Sequence, residues 1–197
     1  MRVRHGLLLP VLTAALPAFA ALPAWWRALP KQPALAGRFT QESDSAVFGK
    51  LRQQGSLVLA RGGRLRVSYD AGLLVVSDGR QLVQYDPDTR TAQGMDLLEA
   101  LREFPLLSLL LEPARIEVLY RAEPLPDGAV SLHPKEPGLP EVRVEGRNGL
   151  LWALSWTDGT GARQRLELLD PKVPSRTSPE TFRFTAPAGT RWATADR

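Results

Sequence analysis

The chain has 197 residues, with 25 Lys and Arg against 21 Asp and Glu, a formal charge of +4 and no cysteine. So mild a basic excess predicts no nucleic-acid partner, and the lack of cysteine excludes a disulfide framework, a thiol nucleophile and a lipid-modified cysteine anchor. A chain of this length buries roughly 70% of its unfolded surface, so one domain can fold without disulfides or a structural metal.

Arg2, Arg4 and His5 form a short basic head, and the apolar run from Leu7 to Leu16 is too short to span a bilayer, which takes roughly 20 residues. Ala18-Phe19-Ala20 then supplies a small-x-small cleavage pattern. The expectation is a secretory leader over residues 1–20, cleaved after Ala20, and a single domain over residues 21–197. Trp25 to Leu29 fits a short helix limited by Pro23 and Pro30.

Beyond it, short alternating runs are punctuated by Gly, Pro, Asn and Asp, the pattern of half-buried antiparallel strands. Leu57 and Leu59 alternate with Ser56, Val58 and Ala60, and Leu65, Val67 and Tyr69 alternate with Arg64, Arg66 and Ser68. Arg61-Gly62-Gly63 joins the two runs as a tight turn. Asp78-Gly79 turns a second hairpin between Leu73–Ser77 and Gln81–Tyr85.

The period then changes. Leu97, Leu98, Leu101 and Phe104 fall at helical spacing, and Pro105 stands in the first turn of a second helix carrying Leu106, Leu107, Leu109, Leu110 and Leu111, closed by Pro113. Alternation resumes at Val142 and Val144, Asn148-Gly149 turns the chain, and Leu150, Trp152, Leu154 and Trp156 are expected to share one face. Asp158-Gly159 leads into Arg163–Leu169, and Phe182 and Phe184 suggest a last strand between Thr181 and Thr185.

Helices this short cannot cover a sheet this large. Either the sheet closes as a barrel, or it curves into a half-barrel with the leucine-rich helices as a lid over an apolar hollow. Catalysis finds little support: after the leader His133 is the sole histidine, no Gly-x-Ser-x-Gly elbow occurs, and Asp78, Asp86 and Asp158 sit in turns. No enzyme activity, metal or cofactor is expected.

One ordered set of short motifs chooses between the architectures. Phe39-Thr40-Gln41, Gly55-Ser56-Leu57, Arg61, Leu65-Arg66-Val67-Ser68-Tyr69, Val76-Ser77-Asp78-Gly79 and Tyr85-Asp86-Pro87 follow one another, and Pro105-Leu106-Leu107, Leu132-His133-Pro134-Lys135, Asp158 and Phe182 to Gly189 complete the series. In this order they resemble the periplasmic outer-membrane lipoprotein carrier family, LolA. The resemblance implies a mainly β chain, its single antiparallel sheet curved into an incomplete barrel with short helices as a lid. It implies a monomeric periplasmic carrier that receives acylated lipoproteins from an inner-membrane ABC transporter and delivers them to an outer-membrane acceptor. It also implies that Arg61 is a latch, bonding lid-helix carbonyls to hold the empty cavity closed. On this reading Leu57, Leu59, Leu65, Val67, Tyr69, Trp152, Leu154 and Trp156 line the acyl-chain cavity. Leu97, Leu98, Leu101, Phe104, Leu106, Leu107 and Leu110 form the lid.

Two departures from the family stand out. Pro23, Pro30 and Pro33 interrupt any long helix before Phe39, where the resemblance implies a first lid helix, and Gly62, Leu65 and Val67 stand where family members often have proline and aromatic residues, which predicts a differently shaped hollow. Two other functions fit the same half-barrel: a periplasmic module that senses mislocalised lipoproteins and binds an anti-sigma factor, and a carrier of some other lipid.

Overall fold

The computed structural model describes residues 21–103 and 106–193, without the side chains of Glu103 and Leu106. The expected leader with its cleavage after Ala20, as well as Phe104 and Pro105, lies outside the described residues. The chain opens with α1 (Ala24–Ala28), continued by a 3-10 turn over Leu29–Lys31. Strands β1 (Ala34–Ser45), β2 (Gly49–Ala60), β3 (Arg64–Tyr69), β4 (Leu74–Asp78), β5 (Gln81–Asp86) and β6 (Thr91–Asp96) follow. Next come α2 (Leu97–Glu103), α3 (Leu106–Leu111), α4 (Ile116–Leu119), β7 (Tyr120–Pro124), β8 (Val130–Pro134), β9 (Val142–Arg147), β10 (Leu150–Thr157), β11 (Arg163–Lys172) and β12 (Arg191–Ala193).

Among the described residues the twelve strands form one open sheet in the order β12-β6-β5-β4-β3-β2-β1-β11-β10-β9-β8-β7. Neighbouring strands are antiparallel throughout, except that β12 pairs in parallel with β6. The outer strands β12 and β7 do not pair with each other, so the sheet curves without closing. Local chemistry sets the turns. Asn148 and Gly149 have φ of 53° and 79°, as a two-residue turn matching the twist of β9 and β10 requires. At Asp158 the carboxylate accepts the backbone N–H groups of Thr160 and Ala162 and the side chain of Gln164, which fixes the β10–β11 turn. Asp96 caps α2 by accepting the N–H of Leu98 at 2.8 Å.

Alternation places the apolar set on the concave face. Phe39, Leu57, Leu65, Leu132, Val144 and Leu168 are all nearly inaccessible there, and they share one core with Leu97, Ala100, Leu101, Leu109 and Ile116 of the helices. The helices thus cover the hollow of the half-barrel, as the resemblance implied.

Two expectations are corrected. Thr181–Thr185 is not a strand: Pro179–Phe182 forms a 3-10 turn, and the segment runs as a strap over the convex face, with its last strand only at Arg191–Ala193. Phe182 packs there against Ala34, Ala60 and Val58, and Phe184 lies between Tyr85 and Trp192. The second correction concerns β10. Its pairing with β9 skips a residue between Leu151 and Ala153, a bulge that breaks the period of two. Leu150, Leu151, Leu154 and Trp156 join the concave core, whereas Trp152 turns to the convex face, its ring 4.2 Å from the Arg147 guanidinium and 5.6 Å from that of Arg165. Trp152 therefore does not line the hollow.

Candidate functional site: a covered hydrophobic hollow

At one end of the concave face lies an open pocket of about 360 Å³ bounded by Leu29, Leu35, Leu59, Leu109, Leu110 and Leu151, with Arg61, Glu112 and Arg115 also in its wall. A second pocket, of about 340 Å³, lies between the N-terminal segment and residues 113–117 rather than on the sheet, with Leu22, Trp26, Arg27, Ile116 and Glu117 in its wall. Both volumes are at the low end of the ~300–1,000 Å³ typical of ligand pockets. The reason is visible in the packing: side chains of α1, α2, α3 and α4 already occupy much of the hollow that the sheet encloses.

The residues expected to line it fall into three groups. Leu57, Leu59, Leu65 and Leu154 are buried on the concave face, and Leu59 reaches the larger cavity. Val67, Tyr69 and Trp156 are half-buried against the same core. Tyr69 stands edge-on to Phe39 with centroids 5.2 Å apart and donates its hydroxyl to Gln41 Oε1 at 3.1 Å, and burial pushes its phenol pKa up. Trp152 belongs to the other face.

Of the expected lid residues, Leu97 and Leu101 are buried, while Leu107 and Leu110 are half-buried against the core. Leu98 is 57% exposed and turns to solvent, because the helical face that meets the sheet carries Leu97, Ala100 and Leu101 instead. The side chain of Leu106 lies outside the described residues, like Phe104. Leu109 and Leu111, placed on the second helix but not counted in the lid, are buried in the cover, and so is Ile116, which sequence periodicity missed. It also missed Trp26 and Leu29 of the N-terminal segment, for which the proline spacing gave no burial signal.

Arg61 sits exposed at the rim, in the turn between β2 and β3. Its Nε donates to the carbonyl of Gln32 at 3.2 Å and its Nη2 to that of Pro30 at 3.0 Å. The backbone N–H of Arg61 donates to the carbonyl of Pro33 at 3.2 Å. These carbonyls are released by the end of the short N-terminal helix, where no further helical N–H can reach them. Among the described residues, the carbonyls that Arg61 bonds belong to this N-terminal segment and not to α2, α3 or α4.

The comparisons with known proteins point the same way. A family model described as outer membrane lipoprotein carrier protein LolA matches residues 31–185. The outer-membrane lipoprotein carrier protein of Methylibium petroleiphilum is 31% identical over 160 residues, covering 77% of this chain and 78% of that one. That of Bordetella avium is 29% identical over 173 residues, covering 81% and 80%. An uncharacterized conserved protein from Thermus thermophilus shares the fold at a TM-score of 0.51 and 13% identity, over 85% of this chain and 94% of that one. Half-barrel, covered hollow and matched sequence agree: the chain belongs to the LolA family of outer-membrane lipoprotein carrier proteins.

Proposed function

We propose that this protein is a periplasmic carrier that takes the acyl chains of lipoproteins into its concave hollow, receiving them from an inner-membrane ABC transporter and passing them to an outer-membrane acceptor. The observation that supports this best is the apolar concave face, filled by short helices and by an N-terminal segment to which Arg61 is bonded. Burying acyl chain is worth ~0.8 kcal/mol per methylene, so two or three chains bound at full value would never leave. A cover that buries its own leucines in the empty hollow competes with the cargo, and only the difference between the two burials appears as affinity. Arg61 acts as the latch that sets this difference.

Incubating the purified protein with spheroplasts tests the reading. A carrier releases acylated lipoprotein into a soluble complex. A folded protein that releases none leaves the carrier function without support.

A further inference from the structure

The N-terminal segment is held on the side away from Arg61 as well. Trp25 lies flat against the backbone of Gly146 in β9, so closely that a Cβ built there would stand 2.1–2.5 Å from the indole carbons. Its Nε1 donates to the carbonyl of Gly128, in the turn between β7 and β8, at 3.0 Å. Gln32 Nε2 donates to the carbonyl of Gly149 at 2.7 Å. In the sheet, β2 and β9 are separated by β1, β11 and β10, a span of roughly 19 Å at ~4.8 Å per strand. The segment therefore bridges the ends of β1, β11 and β10, fastened at the β2–β3 turn by Arg61 and at the β7–β8 and β9–β10 turns by Trp25 and Gln32.

The same segment borders both pockets: Leu29 and Pro30 stand on one side and Pro113 and Ala114 on the other, while Leu35, Leu59 and Leu151 of the sheet line only the pocket of about 360 Å³. Lifting Leu29 and Pro30 would uncover those three sheet residues.

Building on the carrier reading, in which the N-terminal segment is part of the lid, we propose that Trp25 seated on Gly146 is a second clasp, beside Arg61, that keeps this segment shut. Gly146 is then a positioning residue: any side chain there evicts the indole, although the backbone itself tolerates alanine, its φ being outside the left-handed region.

The test uses the full-length chain and cis-parinaric acid, a naturally fluorescent fatty acid, as the probe. Weakening a clasp raises the fraction of open protein and hence the apparent affinity, so Trp25→Ala and Gly146→Ala should each bind the probe about three- to tenfold tighter than the parent. Trp25→Phe, which keeps a ring over Gly146 and loses only the donor, should gain less. Amide exchange over residues 24–33 should accelerate in both alanine variants while the strands stay protected. Unchanged affinity in both alanine variants, with Arg61→Leu binding tighter, overturns the second clasp and leaves the carrier reading standing. Absence of probe binding in every variant and the parent, all folded by circular dichroism, overturns the carrier reading and the clasp with it.

Discussion

Arg61 places a permanent charge at the lip of an apolar hollow and directs two of its donors to carbonyls that a terminating helix leaves open. The same carbonyls are satisfied by water once the segment lifts, so the bonds exchange readily and their net worth is about 1 kcal/mol apiece. Arg61→Leu should accordingly fold as the parent does and accumulate as cargo-loaded protein in the spheroplast assay. Loading and delivery indistinguishable from the parent's would remove the latch role. At Asp158 the Thr160 hydroxyl and the Gln164 amide hold the carboxyl down at about 2 from its ordinary 3.8. Because the folded value is the lower one, the turn contributes stability above the ordinary value and loses it as pH falls toward 2. The thermal midpoint should drop over that window, and less steeply in Asp158→Asn. Single side chains were also where periodicity misled: Leu98 sits at helical spacing with Leu97 and Leu101, yet one residue's rotation puts it in water.

Elements were legible where turn chemistry marked them. Asn148-Gly149, Asp78-Gly79 and Arg61-Gly62-Gly63 each sit between paired strands, and the leucine run forms α2 and α3 before Pro113. The β10 bulge left no trace in the pattern, because Trp152 continues the alternation of Leu150 and Leu154 even though the chain has slipped by one residue. Phe182 and Phe184 deceived in the opposite way. A strap pressed on a surface can bury every second side chain, as a strand does, and only its lack of pairing tells the two apart. Phe182 is 1% exposed and sits under the Arg64 guanidinium, whose carbon lies 5.3 Å from the ring centre. Phe182→Ala should cost about 3 kcal/mol in urea unfolding, the lower end for a buried aromatic truncation. Since the strap lies on the convex face, acyl-probe affinity measured well below the unfolding transition should stay at the parent's value.

At the scale of the molecule, one open sheet does two jobs with its two faces. The convex face is closed permanently by the C-terminal strap near β2 to β6 and by charge networks such as Arg165 with Glu145 near β9 to β11. The concave face is closed by elements that bury leucine and tryptophan without completing a strand ladder. Periodicity alone left barrel and half-barrel open; the ordered motifs decided between them, and the unpaired edges at β12 and β7 agree. What the motifs could not carry was the route of the N-terminal segment, since its Trp25 and Gln32 tethers join residues more than a hundred positions apart. The two tryptophans of β10 allow the face itself to be tested. A photoreactive benzoylphenylalanine replacing Trp156, half-buried on the concave core, should crosslink to acylated lipoprotein in living cells, and the same group replacing Trp152, on the convex side, should not. Crosslinks from Trp152 alone, or from neither position in a folded protein, would contradict a hollow that holds the cargo.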